Sequence, residues 1–132
     1  MALSDLKPGI EGRLELIIDD THTAHALGYD GVHVLGTPTL TLFCERAAGQ
    51  SISFAKGPGD SSVGLHNDIW HLAAARPGDK VVIESKLIAI DGRKLTFELK
   101  GTVNGTTPLV KGIHEQVWIN LERFLAAKPQ TA

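Results

Sequence analysis

Polar and apolar residues alternate most clearly in the second half of the chain. From position 94 to 103, polar residues occupy the even positions, and apolar residues or glycine occupy the odd positions. This period of two predicts a strand with one buried face. Asp91-Gly92 precedes it and Asn104-Gly105 follows it, and both dipeptides accept the positive φ of two-residue hairpin turns. Together with apolar segments at 80–90 and 108–119, the pattern predicts an antiparallel meander of three strands.

Two more strands are predicted ahead of the meander. Residues 10–18 alternate in the same way, and residues 61–73 form a strand that a turn at 76–79 returns to the meander. Simple alternation divides the second of these strands into two faces. One face carries Val63, Leu65, Ile69 and His71, and the other carries Gly64, His66, Asp68, Trp70 and Leu72.

The segment between these two strands contains one helix signal. Thr37 is a good N-cap and Pro38 a good first helical residue, and the helix is expected to run to about Ala48 and end at Gly49. As a cap, Thr37 would stabilise the helix by ~1 kcal/mol. Apolar residues cover most of the circumference, which predicts a buried helix. These residues are Leu40, Leu42, Phe43, Cys44, Ala47 and Ala48.

One helix packed on one face of an antiparallel sheet is an α+β design of two layers. The length of 132 residues fits a single domain that comprises residues 1–132. Residues 121–127 are expected to add a short helical turn, and residues 19–36 and 49–60 to form irregular loops. The first loop is long enough to act as a lid over a pocket.

Composition and charge exclude several classes of partner. A net charge of -2 without a block of like charge gives no basis for binding nucleic acid or an anionic membrane surface. No apolar run approaches the ~18 residues of a membrane span, and the first residues do not resemble a signal peptide. The single cysteine, Cys44, excludes an intrachain disulfide and indicates a reducing, cytoplasmic location. Its place in a buried helix indicates inert packing.

Three polar residues carry the candidate chemistry. Thr37, Glu45 and His71 supply a hydroxyl, a carboxylate and an imidazole, the groups from which acyl-transfer hydrolysis is built. Each also has a purely structural interpretation: Thr37 as a cap, Glu45 as a solvated side chain, and His71 as a core histidine. A carboxylate on an otherwise apolar helix needs partners or a raised pKa, and such environments are typical of functional sites. His66 is a second candidate histidine on the opposite strand face.

The other polar clusters give weaker signals. His22 and His25, close to Asp19-Asp20, lack the third and fourth ligands of a recognisable metal site. A polar loop is therefore the preferred interpretation, and no metal is expected. His114-Glu115 indicates strand packing or a dimer contact.

A series of short motifs runs from the helix to the last strand. They are Thr37-Pro38, Glu45 followed by Arg-Ala-Ala, Ser62-Val63-Gly64, His71-Leu72-Ala73-Ala74, Pro77-Gly78 and Gly112-Ile113-His114-Glu115. Through these motifs, and through the spacings between them, the chain resembles the hotdog-fold thioesterases, in the branch that includes the fluoroacetyl-CoA thioesterase. The resemblance covers roughly residues 35 to 121.

The resemblance implies a hotdog fold, in which an antiparallel sheet of five or six strands wraps one long buried helix. It also implies a homodimer with two active sites at the subunit interface. The implied activity is hydrolysis of an acyl-CoA thioester, with coenzyme A as part of the substrate and no separate cofactor. The resemblance assigns Thr37, Glu45 and His71 to catalysis, and Gly64 and Pro38 to substrate binding. Glu45 and His71 would activate water, while Thr37 and backbone N–H groups would stabilise the oxyanion.

Several alternatives stay open at this point. The loop at 22–35 does not resemble the fluoroacetyl-CoA enzyme, which leaves the acyl group undetermined, and Gln116 stands where relatives often have arginine. Glu45 can act as a general base or attack the carbonyl itself. A non-catalytic acyl-CoA-binding protein and a hotdog dehydratase or hydratase are the competing functions. The latter needs a catalytic Asp/His pair, and Asp68 and His71 fall on opposite strand faces.

Overall fold

The computed structural model describes residues 2–128. It contains two α-helices, α1 (Thr37–Ser51) and α2 (Leu121–Ala126), and five strands: β1 (Glu11–Ile17), β2 (Asp60–His71), β3 (Lys80–Asp91), β4 (Lys94–Val103) and β5 (Thr107–Asn120). The strand bounds lie within two residues of those predicted, and α1 is three residues longer than predicted. Short 3-10 helices lie at Leu3–Asp5, Asp20–His22, His25–Leu27 and Ser53–Ala55. In this part of the chain, no helix has the length and apolar character required to cross a membrane.

The five strands form one antiparallel sheet in the order β1-β3-β4-β5-β2. The predicted meander of β3, β4 and β5 is confirmed, and Asn104 and Gly105 adopt the positive φ expected of their turn. β2 precedes β3 in the chain but pairs with β5 at the far edge of the sheet. One edge of β2 is therefore free of any strand among residues 2–128.

Helix α1 packs against one face of the sheet, which confirms the predicted α+β design. Its buried residues are Leu40, Phe43, Cys44, Ala47 and Ala48. β1 approaches the helix so closely that a Cβ at Gly12 would stand 2.5 Å from the Ala47 carbonyl oxygen. As predicted, α1 is buried along the side that faces the sheet, but Leu42, one of the apolar residues on which that prediction rests, lies on the outer side and is 44% exposed. The helix also continues through Gly49, where it was expected to end, and reaches Ser51. The residue that follows the helix, Ile52, is buried.

The loop between β1 and α1 is ordered by backbone contacts at its base. Thr23 and Leu35 form an isolated bridge, and both are 1% exposed. The Ala24 N–H donates to the Val34 carbonyl, and the Gly36 N–H donates to the His22 carbonyl. We call residues 19–36 the lid, because its exposed tip lies beside the first turn of α1.

β2 contains an irregularity that changes which side chains face the helix. Gly64 pairs with Gln116 and His66 pairs with Glu115, so Leu65 is an extra residue, a β-bulge. The faces predicted from simple alternation are therefore wrong on the N-terminal side of the bulge, where Gly64 shares the helix-facing side with His71 rather than with His66. Four residues of β2 that lie on the helix-facing side of the sheet are Gly64, Asn67, Ile69 and His71.

Candidate functional site

The start of α1 and the end of β2 meet through a hydrogen bond between two predicted site residues. Thr37 Oγ1 lies 2.8 Å from His71 Nδ1, although the residues are 34 positions apart in the chain. Thr37 is the first residue of α1, and His71 is the last residue of β2. The packing of α1 across the sheet therefore joins a hydroxyl and an imidazole at one end of the helix.

The predicted capping role of Thr37 is wrong. Gly36 is the N-cap, no side chain caps the helix, and Pro38 occupies the second helical position. The Thr37 hydroxyl is engaged by His71 instead. Within residues 2–128, the N–H groups of Thr37 and Thr39 make no hydrogen bond, so the helix start offers free donors to an anionic group.

His71 is half-buried, and its environment favours the neutral ring. Burial lowers the pKa of His71, while the Ala73 backbone offsets part of this effect. Its Nε2 atom is buried and has no hydrogen-bond partner among the described residues. A neutral imidazole at pH 7 can accept a proton, and its Nδ1 is held at Thr37.

Glu45 lies two turns further along α1, directly over Gly64 of β2. A Cβ added to Gly64 would stand 2.6 Å from Glu45 Oε1 and 3.2 Å from its carboxyl carbon. Only glycine therefore leaves room for the carboxylate at this point. The Glu45 side chain is half-buried, and its carboxylate makes no hydrogen bond in the described part of the chain. It is thus available to a water molecule or a substrate.

A chain of side-chain hydrogen bonds fixes the backbone at Glu45. Lys56 Nζ donates to Ser62 Oγ at 2.9 Å, and Ser62 Oγ donates to Gln116 Oε1 at 2.8 Å. Gln116 Nε2 then donates to the Glu45 carbonyl oxygen at 3.3 Å. Burial lowers the pKa of Lys56. This network ties β2, β5 and the loop after α1 to the helical turn that carries the carboxylate.

A fully buried histidine lies on β5, opposite Asn67 of β2. His114 is 0% exposed, and its Nδ1 lies 2.6 Å from Asn67 Oδ1 across β5 and β2. Its Nε2 has no partner among the described residues. Burial lowers the pKa of His114, and the negative charge of Glu45 opposes this shift. The expected role of this histidine in strand packing is confirmed.

In one chain the three predicted catalytic residues form two groups rather than one. Thr37 pairs with His71, whereas Glu45 pairs with Gly64. Eight residues along α1 separate the groups by about 12 Å. Seven residues along β2 separate Gly64 from His71 by about 20 Å. The structure therefore places one half-site at Gly64, within β2, and the other at His71, the last residue of β2.

The remaining candidates lie at a cavity beside the lid, on the outer face of β2 and in the lid itself. Pro38 and Thr37 border an apolar cavity beside the lid. His66 faces away from α1 and contacts Glu115 at 3.0 Å. His22 Nδ1 accepts a hydrogen bond from the Asp19 N–H, as expected for a polar loop. Within residues 2–128, no group of three or more His, Cys, Asp or Glu side chains is arranged to hold a metal ion.

Comparison with known proteins identifies the family. The profile of the fluoroacetyl-CoA-specific thioesterases, FlK, matches residues 18–122. The chain belongs to this family. It is also similar to the fluoroacetyl-CoA thioesterase of Streptantibioticus cattleyicolor, with 33% identity over 93 residues. That match covers 70% of this chain and 66% of the relative, so it spans slightly less than two thirds of the relative's length.

Solved structures agree with the family assignment at the level of the fold. A variant of the fluoroacetyl-CoA-specific thioesterase FlK superposes with a TM-score of 0.85 at 24% identity, over 92% of this chain and 93% of that chain. A hot-dog-like protein from Thermanaerovibrio acidaminovorans gives 0.81 at 18% identity, over 91% and 88%. The predicted hotdog fold is confirmed.

The hydrogen-bond network that reaches the Glu45 carbonyl was not predicted from the sequence. In the sequence, Gln116 stands out only as a departure from the arginine of many relatives, and no pattern marks Ser62 or Asn67 as supporting residues. A signal was present, because His114 and Gln116 occupy the same strand face as the apolar Val110. Polar residues on the buried face of a strand require hydrogen-bond partners.

Proposed function

We propose that this chain is an acyl-CoA thioesterase whose catalytic residues are Thr37, Glu45 and His71. The observation that carries the proposal is the 2.8 Å contact between Thr37 Oγ1 and His71 Nδ1 beside an apolar cavity. The similarity to fluoroacetyl-CoA thioesterase supports the reaction type. The free carboxylate of Glu45 over Gly64 supplies the third group.

In the proposed reaction, Glu45 acts as a general base. It removes a proton from water as the water oxygen forms a bond to the thioester carbonyl carbon. The resulting tetrahedral oxyanion collapses and the carbon–sulfur bond breaks. The CoA thiolate then takes up the proton that Glu45 removed from water, which regenerates the carboxylate. The products are a carboxylic acid and free coenzyme A. The reaction needs no separate cofactor, because water is one substrate and coenzyme A is part of the other.

Thr37 and His71 are assigned to the carbonyl group of the substrate. The Thr37 hydroxyl and the unpaired N–H groups at the start of α1 provide donors for a developing oxyanion. With its proton on Nδ1, neutral His71 donates to the Thr37 oxygen, which leaves the hydroxyl hydrogen free to reach the oxyanion. Gly64 is proposed to contact the thioester through its backbone, and Pro38 through the cavity wall.

We propose that a homodimer completes the site. β2 is an edge strand, and exposed strand edges commonly pair with a second copy. Asn67-Asp68 lies midway between Gly64 and His71 along β2. If the β2 strands of two chains pair around a two-fold axis at this midpoint, Gly64 of one chain lies opposite His71 of the other. Glu45 of one subunit would then meet Thr37 and His71 of its partner. Two composite sites per dimer follow from this arrangement.

The competing functions have less support from the geometry. A dehydratase or hydratase would need Asp68 beside His71, but Asp68 pairs with Ile113 on the opposite face and is exposed. A binding protein without activity would not require the Glu45 carboxylate to be held free over a glycine. A cytoplasmic location is proposed from the single, buried Cys44, which suits a reducing compartment.

The deciding experiment is release of free thiol from a panel of acyl-CoAs. Wild-type protein is compared with Glu45→Gln and His71→Asn, and with Glu84→Gln as an exposed carboxylate control. We expect the first two variants to lose about 10²-fold or more in kcat/KM and the control to match wild type. Absence of thiol release by wild type from every acyl-CoA would contradict the function. Full activity of Glu45→Gln would contradict the site.

A further inference from the structure

The tip of the lid exposes a group of apolar side chains. Leu27 is 45% exposed, Tyr29 61% and Val32 44%. The base of the lid is fixed by the bridge between Thr23 and Leu35, so these side chains are held in place rather than free to collapse into the core. Clustered apolar groups on an ordered loop indicate a binding surface for an apolar partner.

Two of these side chains, Tyr29 and Val32, border a cavity that reaches the proposed catalytic hydroxyl. Its volume is about 310 Å³, and it is lined by Ala24, Tyr29, Val32, Thr37 and Pro38. Its only polar side chains are the Thr37 hydroxyl and the Tyr29 phenol, and no charged residue of the described chain lines it. Ligand sites of this kind are mainly apolar, with a few polar groups that fix orientation.

We propose that this cavity binds the acyl group and that the enzyme prefers apolar acyl chains of about four to eight carbons over two-carbon acyl groups. The inference rests on the proposed thioesterase function, because Thr37 marks the end of the cavity where the thioester carbonyl lies. It assigns Tyr29 and Val32 as residues that determine specificity. Neither residue takes part in the chemical step.

The size of the cavity supports this substrate class. The cavity opens to solvent, and its volume of about 310 Å³ falls at the lower end of the range of ligand pockets. A fluoroacetyl or acetyl group would fill a small part of it and leave the apolar faces of Tyr29 and Val32 in water. Each additional buried methylene should increase binding about fourfold. Dicarboxylic acyl groups are excluded, since their free carboxylate would lose hydration without a charged partner.

The first test measures kcat/KM for acetyl-, fluoroacetyl-, butyryl-, hexanoyl-, octanoyl- and succinyl-CoA. We expect hexanoyl-CoA to exceed acetyl- and fluoroacetyl-CoA by at least about tenfold. Equal or higher values for the two-carbon substrates would overturn this inference while leaving the thioesterase function intact. Hydrolysis of none would overturn the proposed function, and the binding test below would then decide whether the cavity holds an acyl chain.

The second test does not depend on catalysis. S-hexyl-CoA and S-ethyl-CoA are thioethers that cannot be hydrolysed, and calorimetry gives their Kd values for wild-type protein. We expect S-hexyl-CoA to bind at least about tenfold more tightly. Equal affinity would show that the alkyl chain remains in solvent and would overturn the inference.

Two variants connect the preference to the lid. Val32→Trp places a large ring in the cavity and should lower the hexanoyl-to-acetyl ratio of kcat/KM at least about fivefold. Ile88→Trp, at an exposed position on β3 and 41% exposed, is the matched control and should keep the wild-type ratio. Tyr29→Ser removes apolar surface and should also reduce the ratio. A wild-type ratio in both lid variants would exclude the lid from acyl selection.

Discussion

The carboxylate of Glu45 and the backbone of Gly64 occupy adjoining space with no room for a further methyl group between them. Because a Cβ at Gly64 would stand 2.6 Å from Glu45 Oε1, the Gly64→Ala substitution must displace the carboxylate. We expect at least about a tenfold loss of kcat, since small misplacements of catalytic groups have large effects on rate. Thiol-release kinetics test this, with Ser61→Ala on the same strand as control. Wild-type kcat in Gly64→Ala would show that the position of the carboxylate is unimportant.

Removal of the Thr37 hydroxyl should affect activity and leave stability nearly unchanged. Thr37 does not cap α1, so Thr37→Val should change the free energy of unfolding in urea by less than about 0.5 kcal/mol. The same variant should lose about 10²-fold in kcat/KM, because its contact with His71 and its oxyanion donor are lost. Thr37→Ser retains the hydroxyl and should keep most of the activity. A loss of ~1 kcal/mol without a change in rate would instead indicate a cap.

Subunit mixing should distinguish a composite site from a site within one chain. Glu45→Gln and His71→Asn are each expected to be inactive, but a heterodimer of the two would contain one site with both residues intact. After denaturation and joint refolding, random pairing should restore about a quarter of wild-type activity. Light scattering would establish that the mixture is dimeric. Activity no higher than that of the separate variants would rule out the composite arrangement.

A half-buried and a fully buried histidine, His71 and His114, should make folding stability depend on pH. Burial lowers the pKa of His71 and of His114 below the ordinary value of 6.5. The unfolded chain therefore binds more protons than the folded protein below pH 6.5, so stability is fully present above that pH and falls as the pH drops towards the folded-state pKa values. Urea unfolding at pH 7 and pH 5 measures this loss.

The contribution of His114 to that loss can be isolated. His114→Gln should show a smaller difference between the two pH values than wild type, although its stability at pH 7 is lower because a buried group is replaced. The exposed His33→Gln is the control and should keep the wild-type difference. If His114→Gln loses as much stability on acidification as wild type, another group is responsible.

Cys44 should be unreactive in the folded protein. The thiol is fully buried in α1, and burial raises its pKa to about 12, so the reactive thiolate is scarce at pH 8. A disulfide reagent such as DTNB should titrate less than a tenth of one thiol per chain within the time of an assay, and one thiol in urea. This also ensures a low background in thiol-release measurements. Rapid reaction in the absence of urea would contradict the packing of α1.

Local sequence was sufficient to predict most of the elements but not their arrangement. The meander was predictable because each signal, such as Asn104-Gly105 and the alternation from 94 to 103, acts between neighbours in the chain. The pairing of β2 with β5 joins residues about fifty positions apart, and no local pattern specifies it. The length of α1 was underestimated at Gly49, since tertiary packing outweighs the low helix propensity of glycine.

The residues of the candidate site could be predicted from the sequence, but their arrangement in space could not. Thr37 and His71 were selected together and lie in contact, yet the expected use of the Thr37 hydroxyl as a cap was wrong because His71 competes for it. The prediction that Gly64 and His71 lie on opposite faces of β2 is also wrong, because the extra residue of a β-bulge leaves no signal in an alternating pattern. Whether these residues are catalytic stays a prediction until the variants are measured.

The single additional residue in β2 makes the spacing between Gly64 and His71 as important as their identities. Deleting Leu65 would remove the bulge together with a side chain that is 56% exposed, and the strand would then alternate regularly with Gly64 and His71 still on the helix-facing side. A single insertion elsewhere between these two residues would instead turn either the glycine or the imidazole away from the helix. Among homologues, we therefore expect a one-residue gap at Leu65 to be compatible with the site, and single insertions between Asn67 and His71 to be rare. An alignment gap at the bulge alone would not mark a member that has lost the site.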